Sequence, residues 1–188
     1  MKGDYFVYNS PYFVYTGNSY PHKNLPRLVE AIVLLNSNRV KKVKLKISSS
    51  RSIFTERLEK IIKDKKAEKY VEFLGYVTDS EISKLYKDSI SFVFSTLSEG
   101  FGLPPKEAIE SGTFAIISDI PVLKEVYKDS VIYFNPLDAK SIVGAMEVVL
   151  NMTESERQKK IKYAQDFLKR YSWETMAEET VKIYESVV

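Results

Sequence analysis

Two glutamates stand on either side of a glycine-rich turn. In the segment STLSEGFGLPPKEAIESG, residues 95–112, Glu99 precedes the Gly-Phe-Gly turn and Glu107 follows a Pro-Pro pair. Prolines favour the first turn of a helix, where the missing N–H loses no hydrogen bond, and glycine is a typical helix stop. The pattern predicts a helix that begins at Pro104 or Pro105 and ends at the serine before the final glycine.

The composition of this turn is that of an anion site. Gly100 and Gly102 let the backbone approach a ligand, and the helix N-terminus supplies unpaired N–H groups and a partial positive charge. A phosphate or diphosphate is the expected ligand. Glu107 is placed to accept hydrogen bonds from the hydroxyls of a ribose, and Glu99 from hydroxyls at the far end of the ligand. The segment predicts a site for ribose, diphosphate and sugar, in that order.

Taken singly, these side chains have simpler interpretations. An acid in the first turn of a helix stabilises the helix dipole, and this is the favoured interpretation of Glu107 in isolation. Glu99 alone could be an ordinary loop carboxylate, and His22, the one histidine of the sequence, is favoured as a structural residue over a phosphate ligand. The combination of spacing, glycines and prolines is what favours a ligand site.

Strands alternate with helices along the chain. Six segments have the apolar or alternating pattern of strands, at residues 12–16, 43–48, 71–74, 90–94, 115–118 and 131–134. From Asp138 onward the pattern is helical, with breaks near Asn151 and Tyr171. The alternation predicts an α/β fold, a Rossmann-like parallel sheet of about six strands sandwiched by helices, with further C-terminal helices. Ligands bind such sheets beyond the carboxyl ends of the strands, where residues 95–112 lie.

Composition limits the class of protein. The 188 residues are 44% hydrophobic, enough for a single domain over residues 1–188. The lack of cysteine excludes disulfides and thiolate metal sites, and the net charge of +3 disfavours nucleic-acid binding. No apolar run reaches the length of a membrane span. A cytoplasmic protein is predicted; attraction of the basic residues 41–46 to the inner face of the cell membrane is the lesser alternative to a solvated strand face.

Several spaced motifs resemble one family of enzymes. SEGFGLPP-x-EA, followed by SDIPVLKEV, is similar to the donor-binding half of retaining glycosyltransferases with the GT-B fold, in family 4, whose hallmark is a glutamate pair spaced like Glu99 and Glu107. The resemblance extends to PHKNL at residues 21–25, FLGYVTD at 73–79 and YSWE at 171–174. It implies that the chain is a C-terminal GT-B domain without the N-terminal acceptor domain.

The resemblance also implies roles for individual residues. Glu107 would hold the ribose hydroxyls, Glu99 would contact the donor sugar, and Lys23 would neutralise the leaving diphosphate, so Glu99 and Lys23 are assigned to catalysis. Donor binding would further involve three loops, at residues Gly100, Phe101, Gly102, Leu103, Gly17, Asn18, Gly75, Tyr76 and Val77. The last three lie where the family places the base.

The implied reaction moves a sugar from a UDP- or GDP-sugar to a glycan or lipid-linked acceptor, with retention, in bacterial surface polysaccharide synthesis. It chiefly requires stabilisation of charge on the leaving diphosphate. The sequence has no D-x-D motif, and neither a metal nor another cofactor is expected. Two positions depart from the family: Asn18 replaces a common arginine, and residues 48–50 are serines where many relatives have glycines. Arg51 or a residue outside the chain would have to replace the missing cation.

Other functions compete with this interpretation. A non-catalytic nucleotide-sugar-binding module would have the same pocket, and a sugar-nucleotide epimerase of related fold would convert the donor without an acceptor. A dinucleotide oxidoreductase is disfavoured, because the glycines after the first strand do not form G-x-G-x-x-G. The expected partners are a nucleotide sugar, an acceptor, and an N-terminal GT-B domain in the same or a separate chain. The chain alone is expected to be inactive in transfer.

Overall fold

The computed structural model describes residues 11–37 and 39–187, apart from the side chain of Asp79. Its strands are β1 (Tyr12–Thr16), β2 (Lys44–Ser48), β3 (Val71–Gly75), β4 (Ser91–Phe94), β5 (Ala115–Ser118) and β6 (Ile132–Phe134). A short 3-10 helix spans Pro21–Lys23. The α-helices are α1 (Leu25–Ser37), α2 (Ile53–Asp64), α3 (Asp79–Lys87), α4 (Leu103–Glu110), α5 (Pro121–Tyr127), α6 (Ala139–Leu150), α7 (Glu154–Leu168) and α8 (Trp173–Ser186). The prediction of one domain over residues 1–188 extends beyond the described residues.

The strands form one parallel sheet with the order β3-β2-β1-β4-β5-β6. This confirms the predicted α/β fold with a Rossmann-like sheet of six strands. The two central strands, β1 and β4, pair with each other. Phe13 of β1 lies opposite Leu45 of β2 on one side and opposite Ser91 of β4 on the other. Because the strand order reverses between β1 and β4, the loops that follow them diverge and open a crevice.

The central strands are apolar because helices cover both faces of the sheet. All five residues of β1 and all four of β4 are buried, the pattern of strands enclosed on both sides. Helix α1 turns Leu28, Ile32 and Leu35 toward this core, at the spacing of one helical face, and packs against α6. The carboxyl ends of β1 and β4 therefore rest on a well-packed base.

The predicted element boundaries agree closely with the structure. Each predicted strand differs by at most one residue at either end. Helix α4 begins at Leu103, before the predicted prolines, because Gly102 adopts a left-handed backbone with φ 86° and helical geometry starts at the next residue. The helix ends at Glu110, and Gly112 follows with φ 87°. The prolines occupy the first turn, as their missing N–H groups require.

Candidate functional site

Two loops meet at the crevice between β1 and β4. The 3-10 helix after β1 is held against the loop after β4, because the His22 carbonyl accepts hydrogen bonds from the Leu97 N–H at 2.7 Å and from the Thr96 hydroxyl at 3.2 Å. The Ser95 hydroxyl donates to the Lys23 carbonyl at 2.9 Å. The backbone that carries Lys23 is therefore fixed relative to the glycine turn.

Lys23 and Glu99 form an ion pair in this crevice. The Lys23 ammonium donates to the Glu99 carboxylate, and the two side chains are only 12% and 14% exposed. The ammonium also lies 5.3 Å from the centre of the Phe94 ring. Limited access to water makes such a pair stronger than an exposed one and makes the loss of either partner more costly. The structure thus brings the two residues assigned to catalysis into direct contact.

Tyr15 supports the loop that begins at Gly17. Its hydroxyl donates to the Asn18 carbonyl at 2.7 Å. Burial, and then the negative charge of Glu99, raise the pKa of the Tyr15 phenol, so the phenol stays a neutral donor. Gly17 has φ 133°, and a Cβ there would lie 3.2 Å from the Tyr15 hydroxyl. The Asn18 side chain accepts from the Tyr20 N–H at 3.3 Å, so it stabilises the turn that leads into the 3-10 helix.

The two glycines of the turn have different surroundings. A Cβ at Gly102 would lie 2.7 Å from Cδ2 of Leu123, and the buried Tyr127 hydroxyl donates to the Gly102 carbonyl. Gly102 is therefore required by packing, because Leu123 fills the space that a side chain would need; its predicted contact with a ligand stays a prediction. A Cβ at Gly100 would meet no atom within 4 Å. The side-chain position of Gly100 is therefore open space.

Glu107 is exposed on α4, near the carboxyl end of β1. Burial raises the pKa of Tyr86 to about 12, against a hydrogen bond with Thr16 that lowers it, and the negative charge of Glu107 adds to the increase. The Tyr86 and Thr16 hydroxyls are 2.6 Å apart. Glu99 acts in the same way on Tyr15, the neighbour of Thr16 in β1. Both glutamates therefore lie close to the last residues of this central strand.

The serines after β2 join three loops. The Gly75 carbonyl accepts hydrogen bonds from the Ser49 N–H at 3.1 Å and the Ser48 hydroxyl at 3.2 Å. The Gly17 N–H donates to the Ser48 carbonyl at 3.1 Å, and the Ser49 and Ser19 hydroxyls lie 2.9 Å apart. Backbone hydrogen bonds and the hydroxyls of Ser48 and Ser49 thus link the end of β2 to Gly17, Ser19 and Gly75.

Other predicted residues lie farther from the Lys23–Glu99 pair in the fold. Tyr76 is 77% exposed and lines, with Val77, a shallow cleft of about 380 Å³ that extends to Tyr12 at the start of β1. This cleft runs away from the carboxyl end of β1. The Gly75 carbonyl links this loop to Ser48 and Ser49 at the end of β2. Arg51 is 78% exposed, and its guanidinium lies 3.7 Å from the Glu59 carboxylate, so its observed partner is on α2.

Phe101 and Leu103 turn their side chains toward α8. The Phe101 ring packs edge-to-face on Tyr171 at 5.1 Å, and both Phe101 and Leu103 line a cleft of about 430 Å³ with Trp173. Arg170, which the sequence analysis does not single out, borders the same cleft. This cleft begins at the glycine turn and continues along the first turns of α8.

Three buried tyrosines support the site through their hydroxyls and are not evident from the sequence: Tyr15, Tyr86 and Tyr127. A buried tyrosine has the same apolar periodicity as a phenylalanine, so the pattern carries no sign of the hydroxyl. Within residues 11–37 and 39–187, no group of three or more His, Cys, Asp or Glu side chains is arranged to hold a metal ion. In the same residues, no helix has the length and hydropathy that crossing a bilayer requires.

Comparison with known proteins relates this geometry to a family. The model of the family described as glycosyl transferases group 1 matches residues 6–167. O-antigen chain mannosyltransferase RfbU of Salmonella typhimurium is 30% identical over 165 residues, which are 88% of this chain and 44% of the relative. O-antigen chain mannosyltransferase B of Escherichia coli is 29% identical over 175 residues, 92% of this chain and 45% of the relative.

A solved structure agrees in fold. An α,α-trehalose-phosphate synthase (UDP-forming) from Burkholderia vietnamiensis superposes with a TM-score of 0.85 at 14% identity, over 94% of this chain and 45% of that one. The chain thus spans about half the length of the relatives that it matches. The family model covers most of the chain, including both glutamates and Lys23. The chain belongs to the family of glycosyl transferases group 1.

Proposed function

We propose that this chain is the donor-binding domain of a retaining glycosyltransferase that takes a sugar from a UDP- or GDP-sugar. The observation that carries the proposal is the fixed Lys23–Glu99 pair in the crevice between β1 and β4, beside the N-terminus of α4. The names of the two mannosyltransferase relatives favour mannose as the transferred sugar and an O-antigen type of polysaccharide as the acceptor. The name of the solved neighbour, a UDP-forming enzyme, supports a nucleoside diphosphate as the leaving group.

The chemistry divides among residues of the crevice. The bond from the anomeric carbon to the diphosphate breaks and its electron pair leaves with the diphosphate. An acceptor hydroxyl forms the new bond on the same face of the sugar, and its proton passes to the leaving diphosphate. Lys23 and the N-terminus of α4 stabilise the negative charge that develops on the leaving group. In this proposal Glu107 holds the ribose hydroxyls, Glu99 accepts hydrogen bonds from the sugar, and no metal takes part.

A second domain completes the proposed enzyme. Among the described residues of α8 none is buried, although Trp173, Met176 and Tyr184 are apolar and 52–69% exposed on one face of the helix. A helix of this length gains most of its stability from packing an apolar face, so an exposed one indicates a missing partner surface. The relatives are about twice as long as this chain. We infer that an N-terminal acceptor domain, as in the GT-B resemblance, covers α8.

Titration calorimetry tests donor binding directly. The 188-residue chain is titrated with UDP and with GDP, and we expect one of the two to bind. Lys23→Gln should weaken that binding about tenfold or more, because it removes a charge-assisted contact to phosphate. Lys44→Gln is the matched control: it removes a half-exposed lysine that pairs with Glu72 on the sheet. Absence of binding to both nucleotides overturns the proposal.

Transfer itself requires the longer protein. A form that carries the N-terminal domain should move mannose from GDP-mannose, or a sugar from a UDP-sugar, to a polysaccharide acceptor, whereas the 188-residue chain should not. Product analysis by NMR shows whether the new linkage keeps the anomeric configuration of the donor. Conversion of the donor in the absence of acceptor would identify an epimerase, and binding without any conversion would identify a non-catalytic module. Either result contradicts the proposed transfer.

A further inference from the structure

The Lys23–Glu99 pair differs from the other ion pairs of the structure. Both of its side chains are nearly buried, at 12% and 14% exposure. In each of the other ion pairs between described residues, at least one partner is 42% exposed or more. Breaking this pair is unfavourable, because each charge would lose its partner in a place where water can hardly replace it.

The pair cannot be separated by simple movement of the loops. The backbone on both sides of Lys23 is fixed, since its carbonyl accepts from Ser95 and the Asn24 side chain donates to the Pro136 carbonyl at 2.7 Å. Leu97, two residues before Glu99, is bonded to His22. Separation therefore requires one of the two side chains to rotate away. The Lys23 ammonium has three N–H donors but a single positive charge, so a phosphate that binds it lies beside the Glu99 anion and shares that charge with it.

We propose that Glu99 determines specificity by competition, so that the site favours the intact nucleotide sugar over the nucleoside diphosphate. This inference rests on the proposed function. When a diphosphate binds the Lys23 ammonium, the Glu99 carboxylate must share or lose that partner beside a second anion and with little water, which is unfavourable. The hydroxyls of a donor sugar replace that partner with new hydrogen bonds. A nucleoside diphosphate has no sugar hydroxyls to offer and carries the full penalty.

The same competition assists product release. Once the sugar has moved to the acceptor, Glu99 again lacks a hydrogen-bond donor while the diphosphate occupies Lys23. Return of the carboxylate to the ammonium displaces the diphosphate. Glu99 thus acts at two stages: it supports the sugar while the donor is intact, and it lowers the affinity for the product.

Calorimetry on Glu99→Gln tests this inference. The carboxamide keeps the shape of the side chain and removes the charge that competes for Lys23. We titrate the 188-residue chain and the variant with GDP, UDP, GDP-mannose and UDP-glucose. The variant should bind the preferred nucleoside diphosphate about five- to tenfold more tightly than the parent chain, a coupling of ordinary size. The preference for the nucleotide sugar over its diphosphate should fall by a similar factor.

Two further variants, Glu30→Gln and Glu99→Asp, separate the possible outcomes. Glu30→Gln, which removes a carboxylate from the half-exposed pairs with Arg27 and Lys65, should leave all affinities unchanged. Glu99→Asp keeps the charge but shortens the reach, so it should tighten diphosphate binding less than Glu99→Gln; it also serves if the glutamine variant does not fold. If the parent chain binds a diphosphate and neither Glu99 variant binds it more tightly, the competition is overturned and donor binding stands. If no protein binds any nucleotide, both proposals fail.

Discussion

The crevice between β1 and β4 and the helix α8 differ in how far they pack against the rest of the chain. Lys23 and Glu99 belong to loops whose backbone is held by hydrogen bonds and that follow two fully buried strands. Helix α8 has an ordinary N-terminal cap, in which the Ser172 hydroxyl accepts from the Thr175 N–H, yet none of its described residues is buried. Local sequence signals form both regions, but only the crevice is stabilised by the core of this chain.

This difference separates two parts of the proposed activity. Groups that contact the donor are positioned by elements inside the chain, so donor binding should not need a second domain. The cleft between Leu103 and Trp173 is bordered on one side by α8, and none of the described residues of that helix is buried. Binding should therefore be a property of the described residues, and transfer a property of the longer protein.

The largest effect should come from Gly102→Ala. A side chain there requires a strained left-handed backbone and meets Leu123 at 2.7 Å, so we expect a loss of about 2–4 kcal/mol in the free energy of unfolding. Nucleoside diphosphate binding should be lost as well. Urea denaturation and calorimetry measure the two effects. Gly144→Ala in α6, where a Cβ meets no atom within 4 Å, is the control and should be neutral or slightly stabilising. Equal stability of both variants would show that the turn is less constrained than the crevice requires.

Glu107→Gln should act on ligand affinity, because the proposed function assigns Glu107 to the ribose. Loss of a carboxylate that accepts from two ribose hydroxyls should weaken nucleoside diphosphate binding about 10- to 100-fold. The parent chain should discriminate against a 2′,3′-dideoxy analogue, and the variant should lose that discrimination. Glu110→Gln removes an exposed carboxylate at the other end of α4 and is the matched control. If the parent chain binds the dideoxy analogue as tightly as the nucleoside diphosphate itself, the assignment of Glu107 to the ribose is wrong.

At alkaline pH, the free energy of unfolding should depend on the buried Tyr86 hydroxyl below the crevice. The pKa of Tyr86 rises from 10.0 to about 12 on folding, chiefly through burial. Because the folded state binds this proton more tightly, the associated stability is fully present below pH 10 and is lost as the pH rises through 12. Tyr86 alone should contribute a slope of about 1.4 kcal/mol per pH unit in this window. Urea denaturation of Tyr86→Phe between pH 9 and 12 should show a shallower decline than the parent chain, and an identical decline would contradict the prediction.

Polar substitution on α8 should have the smallest effect in this chain. Trp173→Ser combined with Met176→Ser removes two exposed apolar side chains, so the free energy of unfolding should change by less than about 0.5 kcal/mol for each. Leu28→Ala, in the buried face of α1, should lose about 2–5 kcal/mol and provides the contrast. In the longer protein, the α8 double variant should reduce transfer. A large loss of stability in the 188-residue chain would show that α8 is already supported.

Much of the fold follows from the sequence because its signals are local. Period-two and period-3.6 patterns place the strands and helices. Thr78 and Glu81, three residues apart, form a local capping box at the start of α3, where the Glu81 carboxylate accepts from the Thr78 N–H at 3.1 Å. The Lys23–Glu99 contact could not be found in this way, because the two residues are 76 positions apart and meet only when β1 and β4 pair. The role of Tyr127 beneath Gly102 was hidden for the same reason.

The exposure of α8 was equally hidden from the sequence. Its apolar positions have the periodicity of a packed helix, and that pattern contains no information about which molecule supplies the opposite surface. The roles of individual donor-site residues likewise came from the family resemblance. The structure adds that Gly102 is constrained by Leu123 and that the serines after β2 connect neighbouring loops.

The central pairing of the sheet has a consequence for biosynthesis. Phe13 lies opposite Ser91, so one edge of β1 stays open on the ribosome until β4 has been translated. Before that point the nascent chain can pair β1 only with β2 and must carry an apolar strand with an unsatisfied edge. Closure of this long-range parallel contact should be a slow step of folding, and the nascent chain should be most vulnerable to aggregation before it forms.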